Sequence, residues 1–135
     1  MTMPLQGALV ADDSRIFRVV TAELLREHGL EVFEAADGRE AVEVLLAKRP
    51  ELAIIDALMP LVSGFEVIAK LREVAPEYRP VIFIVTAVFK SRRWEAEARQ
   101  QYQVEEYLEK PIEPETLVAA IGRHFPEFLG LKPTP

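Results

Sequence analysis

The chain has 135 residues, half of them hydrophobic and 28% charged, with a net charge of -6; that describes one soluble domain with a sizeable core and argues against direct binding to nucleic acid. With no cysteine there is neither a disulfide framework nor thiol chemistry. No apolar run approaches the roughly 18 residues of a membrane span, and Met1 to Gln6 lacks the charged start and apolar core of a signal peptide, so a cytoplasmic protein with no membrane partner is expected.

Gly7 to Ala11 is an apolar run that predicts a buried strand, ending in Asp12-Asp13-Ser14 where a helix begins. Ile16, Val20 and Leu24 repeat at i, i+4 and i+8, with Val19 beside them, and give that helix its apolar stripe; Gly29 stops it. Leu30 to Glu34 alternates apolar residues with Glu and predicts a less covered strand. Asp37-Gly38-Arg39-Glu40 carries a capping signal for a second helix that ends before Pro50. Leu52 to Ile55 is a third strand, closed by Asp56. Ser63-Gly64-Phe65-Glu66 caps a third helix with Val67, Ile68 and Leu71 on its apolar side. Val81 to Thr86 is apolar on both faces, as in a central parallel strand. Ser91 to Gln103 is polar and helical in propensity, Val104 to Glu109 is a short fifth strand, and Glu113-Pro114-Glu115 opens a last helix with Leu117, Val118 and Ile121 on its buried face.

Strand and helix thus alternate five times. Apolar strands separated by amphipathic helices predict an α/β fold, a doubly wound five-stranded parallel sheet. In such sheets, ligands sit at the carboxyl ends of the strands. Those ends carry Asp12-Asp13, Asp56, Thr86 followed by Ala87, and Lys110-Pro111 after the fifth strand. Each piece alone is ordinary: an acidic pair before a helix is commonly a cap, Thr suits strands, and lysine suits surfaces. Together they place three carboxylates, a hydroxyl and an ammonium on one edge. Like charges about 4 Å apart repel by about 4 kcal/mol at an effective dielectric near 20. The remedies are a raised pKa or a bound cation. Oxygen ligands with room for water suit Mg²⁺, and a metal, a lysine and a hydroxyl around one aspartate suit phosphoryl transfer.

The ordered set resembles the receiver domain of two-component response regulators, the CheY-like family. It comprises Asp12-Asp13, Asp56 with Met59-Pro60 and Gly64, Thr86-Ala87, and Tyr107 with Lys110-Pro111. The likeness runs from about Gly7 to Phe125, so residues 1–125 are expected to form the domain and 126–135 a tail. The resemblance implies the flavodoxin-like strand order 2-1-3-4-5 and phosphorylation of Asp56 by a sensor histidine kinase or phosphotransfer protein. It implies Mg²⁺ on Asp13, Asp56 and the Leu58 carbonyl, with Asp12 acting through water. Lys110 would pair with Asp56 and then a phosphoryl oxygen, and Lys110-Pro111 would be cis. Thr86 would turn its hydroxyl onto the phosphoryl group and Tyr107 would follow inward. The surface of the fourth helix, fifth strand and fifth helix would then change for an unnamed output partner, and a homodimer fits the same scheme. Such a protein is a phosphoacceptor that gains and loses its own phosphoryl group, not a turnover enzyme.

Three departures stand out. Thr86 to Lys110 is about two residues longer than the family's usual spacing, and Gln103-Val104 replaces the common Gly-Ala. Ile112 stands where an aromatic is common. Leu58 and Val88, two residues after the acceptor and two after the threonine, are both apolar. A hydrolytic water there would lack side-chain partners, so slow loss of the phosphoryl group is expected. Lys90, Arg92, Arg93 and Arg99, with Trp94 among them, form a basic region readable as a solvated helix face or as a partner surface. An interaction module working without phosphorylation is the alternative. An aspartyl-phosphate hydrolase is disfavoured because Leu58 stands where those enzymes place a general acid. A flavin carrier is disfavoured by the acidic first turn, Ala11-Asp12-Asp13-Ser14. Phe125, Phe128, Leu129 and Leu131 are candidates to pack the tail onto the body or a second copy.

Overall fold

Parallel strands covered on both faces require helices on both faces, and that is the arrangement found. The computed structural model describes residues 4–87, 96, 100 and 102–130. Strands β1 (Gly7–Ala11), β2 (Glu31–Ala35), β3 (Leu52–Asp56), β4 (Val81–Thr86) and β5 (Glu106–Glu109) form one parallel sheet in the order β2-β1-β3-β4-β5. Helices α1 (Arg15–Glu27), α2 (Gly38–Lys48) and α3 (Gly64–Val74) and a C-terminal helix (Pro114–His124) cover it. This is the doubly wound, CheY-like fold expected from the sequence.

Alternation along each strand sends successive side chains to opposite faces. Leu9 and Ile55 meet Leu45 of α2 and Ile68 and Leu71 of α3 on one side. Val10 and Ile54 meet Leu25 of α1 and Leu117 and Ile121 of the C-terminal helix on the other. The capping signals act as read. Asp37 accepts from the Glu40 N–H, and Ser63 and Glu66 form a reciprocal capping box. Gly29 takes the left-handed conformation, φ 86°, that ends α1. Glu51 adds a tie that has no local signature: its Oε1 accepts the N–H groups of Gln6 and Gly7 at 2.8 and 2.9 Å and fixes the entry to β1.

The stripe of α1 is corrected. Ile16 is 80% exposed and Val20 59%, while Thr21, Ala22 and Leu25 are buried. At 3.6 residues per turn the buried set lies nearly opposite the stripe. Thr21, Ala22 and Leu25 form the face against the sheet, Leu24 packs at its edge, and Ile16 and Val20 are left outward. The departure at Gln103-Val104 has a local consequence. Gln103 adopts φ 57°, a conformation suited to glycine, and its Oε1 accepts from Arg79 Nη1 at 2.7 Å, while Val104 is buried.

Ala96, Gln100 and Tyr102 are helical. The rest of the segment predicted as a fourth helix, with Arg92, Arg93, Trp94 and Arg99, lies outside the described residues, as do Val88, Lys90 and Leu131. Beyond the C-terminal helix the chain turns through a 3-10 helix, Pro126–Gly130. Phe128 there is 1% exposed, packs in the cluster that holds Leu25 and Phe125, and meets the His28 ring edge-on at 5.0 Å. Among the described residues no helix is long and apolar enough to cross a membrane.

Candidate functional site

Strand order decides which ends become neighbours. β1 pairs with β3, Ala11 opposite Ile55, and β3 with β4, Asp56 opposite Val85. The residues that close β1 and β3 therefore project from the same edge. Carboxylate oxygens of Asp12, Asp13 and Asp56 lie within 4.8 Å of one another. Asp12 is fully buried, Asp56 is 7% exposed, and Asp13 is open to solvent.

Neither acid of the pair serves as the helix cap. Ser14 does, its Oγ accepting the Phe17 N–H at 3.3 Å, while Asp12 Oδ1 accepts the Ser14 N–H at 2.8 Å and Arg18 Nη1 donates to the Asp12 carbonyl at 2.9 Å. The turn thus locks Asp12 by its backbone and by one oxygen. Its other oxygen, Oδ2, is buried and has no hydrogen-bond partner among the described residues. The group nearest to balancing it is Lys110, whose Nζ stands 2.7 Å away in an ion pair that supplies no well-directed hydrogen bond. The same ammonium donates to Asp56 Oδ2 at 3.4 Å, and Asp56 Oδ1 accepts the Leu58 N–H at 3.1 Å.

Burial raises the pKa of the Asp56 carboxyl, the charge of Asp12 adds to the rise, and the Leu58 N–H and Lys110 oppose it. An excess of negative charge on a partly dry edge is the electrostatic condition that favours a cation. The donor set is all hard oxygen, with one exposed side open to water, and a buried oxygen lacks a hydrogen bond. These residues fit Mg²⁺, which tolerates few protein carboxylates and keeps waters.

The close approach of α3 shapes the other wall. A side-chain carbon on Gly64 would stand 2.3 Å from the Asp56 carbonyl oxygen, so only glycine allows the helix start to sit beneath the acceptor. Thr86 ends β4, fully buried, and its carbonyl accepts the Lys110 N–H at 2.9 Å. Ala87 is exposed and lines, with Phe17, Lys110 and Pro111, a cavity of about 440 Å³. The Lys110-Pro111 peptide is cis. Tyr107 sits lower on β5, opposite Ile84, and is already buried at 3% exposure. Leu58 is half exposed. The edge thus gathers Asp12, Asp13, Asp56 and Lys110 directly, with Thr86 and Ala87 adjoining and Tyr107 set back in the core. Phe17, whose ring centroid lies 4.4 Å from Lys110 Nζ, went unnoticed in the sequence because nothing local distinguishes it from a packing residue.

The model of the response regulator receiver domain matches residues 8–122. The transcriptional regulatory protein PdtaR of Mycobacterium tuberculosis is 36% identical over 114 residues, which are 84% of this chain and 53% of PdtaR; the chain thus spans about half the length of that relative. The protein PilG of Pseudomonas aeruginosa is 29% identical over 121 residues, 89% of this chain and 87% of PilG. Among solved structures, the chemotaxis protein CheY4 of Vibrio cholerae superposes with a TM-score of 0.81 at 30% identity, covering 90% of this chain and 99% of CheY4.

The crowding of carboxylates generates a prediction for stability. Asp56→Asn should raise the unfolding free energy of the metal-free chain at pH 7 by about 0.5–2 kcal/mol, read by urea denaturation in EDTA. An acid whose folded pKa lies above its ordinary value near 3.8 holds its proton more tightly when folded. Its contribution to stability is complete below that value and is lost as pH rises through the folded pKa. The advantage of the variant should therefore shrink on acidification. A variant no more stable than wild type at pH 7 would contradict this reading of the site.

Proposed function

This chain belongs to the response regulator receiver domain family of two-component signalling, and from that premise we propose that it is a phosphoacceptor switch with Asp56 as the acceptor. The observation that carries the reading is the meeting of three carboxylates within 4.8 Å around an ammonium that touches two of them. Capping of α1 does not account for that charge, since Ser14 supplies the cap.

In the proposed reaction an Asp56 carboxylate oxygen attacks the phosphorus of a donor phosphoryl group. The bond from phosphorus to the donor atom breaks, and the electron pair leaves with the donor, so that an aspartyl phosphate forms. A phosphohistidine of a sensor kinase or phosphotransfer protein is the donor class in this scheme, and a small acyl phosphate is its chemical equivalent. Asp13, Asp56 and the Leu58 carbonyl would hold Mg²⁺, with Asp12 acting through water, and the bound ion would supply positive charge against the gathered oxygens. Lys110 leaves its carboxylate contacts for a phosphoryl oxygen, and charge developing there is met by a fixed donor. Thr86 offers its hydroxyl from the end of β4.

Phosphorylation adds charge and acceptor oxygens to an edge that already packs tightly, and a two-state element is what such a change biases. The proposed element is the Thr86 and Tyr107 pair with the face of β5 and the C-terminal helix beside the segment that the sequence predicts as a fourth helix. An output partner would read that face. The wider activity of any protein containing this domain lies with that partner.

Incubation with Mg²⁺ and acetyl phosphate should add one phosphoryl group by intact mass, and Asp56→Asn or EDTA should abolish the gain. Absence of both phosphorylation and Mg²⁺ binding would overturn the reading in favour of a phosphorylation-independent interaction module. Leu58 generates a second test. If its apolar side chain denies the attacking water a partner, Leu58→Asn should speed loss of the phosphoryl group by about threefold or more, the worth of one modest hydrogen bond. Equal dephosphorylation rates for the two proteins would remove that role from Leu58.

A further inference from the structure

Among the described residues the ammonium of Lys110 has three charged or aromatic neighbours. Two are the carboxylate oxygens of Asp12 and Asp56, at 2.7 and 3.4 Å, and the third is the face of Phe17, 4.4 Å from nitrogen to ring centroid. The lysine side chain is only 15% exposed. A cation over an aromatic face within about 6 Å is attracted by the ring quadrupole, more strongly as water is excluded. We propose that Phe17 is a positioning residue for Lys110, its ring being the seat that keeps the ammonium at the acceptor when the carboxylate oxygens are given over to a cation. The inference rests on the phosphoacceptor reading.

The reason lies in competition for oxygens. Asp12 and Asp56 hold Lys110 through atoms that belong to the same carboxylate cluster a divalent cation would use. Any cation seated there weakens the hold on the lysine. Magnesium takes oxygen ligands, so the ring is the one neighbour of the three that the metal does not claim. An ammonium drawn partly to the ring also opposes metal entry less than one resting wholly on the carboxylates.

The chain builds this seat locally. Phe17 is the third residue of α1, and its N–H is the one that Ser14 Oγ caps. The Ser14 N–H in turn binds Asp12 Oδ1. One capped turn therefore fixes the ring and the carboxylate in a common frame, with Lys110 entering from β5 between them. Phe17 also packs beside Leu24 and Ile112 at the edge of the core. A packing role alone would be met as well by leucine, whereas a π face would be met by tyrosine.

The test compares Phe17→Leu and Phe17→Tyr in the full chain by three readouts: the NMR shift of the Lys110 ε-methylene protons without metal, the Kd for Mg²⁺ by calorimetry, and the initial rate of phosphorylation by acetyl phosphate at saturating Mg²⁺. In wild type the methylene protons should be shifted upfield by the ring. Leucine should abolish that shift, raise the Kd about threefold and slow phosphorylation about threefold or more, in line with a partly desolvated cation–π contact. Tyrosine should leave all three near wild type. In a Lys110→Met background, Phe17→Leu should no longer change the Kd. The proposal is overturned if leucine leaves the Kd and rate unchanged, if tyrosine falls as far as leucine, or if the effect on the Kd persists without Lys110. Failure of wild type to take up a phosphoryl group would refute the phosphoacceptor reading instead, and the methylene shift and Kd would still decide the role of Phe17.

Discussion

Repulsion among carboxylates at one edge of the sheet is the constraint on which the rest depends. A folded chain normally removes such repulsion or disperses it in water. Here Asp12 is buried completely and Asp56 nearly so, and among the described residues one ammonium, on Lys110, is divided between them. The arrangement is electrostatically unfinished: one cation faces three acids, and one buried acid oxygen lacks a hydrogen bond. A divalent cation completes it, and a phosphoryl group then has both a nucleophile and compensating charge.

The fold supplies this edge at a cost borne elsewhere. Two apolar layers hold β1 and β3 side by side, so the two strand ends cannot drift apart. Gly64 lets α3 begin against the Asp56 carbonyl, where any larger residue would push the acceptor out of place. Ser14 takes over the capping of α1, so that Asp13 and the second oxygen of Asp12 are left to the site. Stability held in the strands and caps thus tolerates a charged edge that the core would not otherwise keep, in the way that functional sites commonly oppose local stability.

Much of this is legible in the sequence. Continuous apolar strands, capping signals at Asp37 and Ser63, and polar residues confined to strand ends depend on short-range pattern, and short-range pattern is what a sequence displays. The stripe of α1 misled because periodicity reveals that a helix has an apolar side without saying which side meets the sheet. Thr21, Ala22 and Leu25 hold that contact, and Ile16 and Val20 of the stripe do not. Glu51, reaching 44 residues back to the Gly7 N–H, and Phe17, facing a lysine 93 positions away (110 − 17), are products of tertiary geometry. No spacing rule announces them. Gln103 at a left-handed position was visible only as a departure from a glycine, and its bond to Arg79 supplies a local partner there.

Whether the acidic edge is a cation seat decides the function proposed for this chain. The direct measurement is a crystal structure of the chain grown with Mn²⁺ in place of Mg²⁺, with anomalous data collected at a wavelength that reveals manganese. One strong peak is expected, bounded by oxygens of Asp13 and Asp56, with Asp12 close by and the Lys110 ammonium moved off the carboxylates toward the Phe17 ring. No peak there at saturating Mn²⁺, with Lys110 still resting on Asp12, would contradict that function.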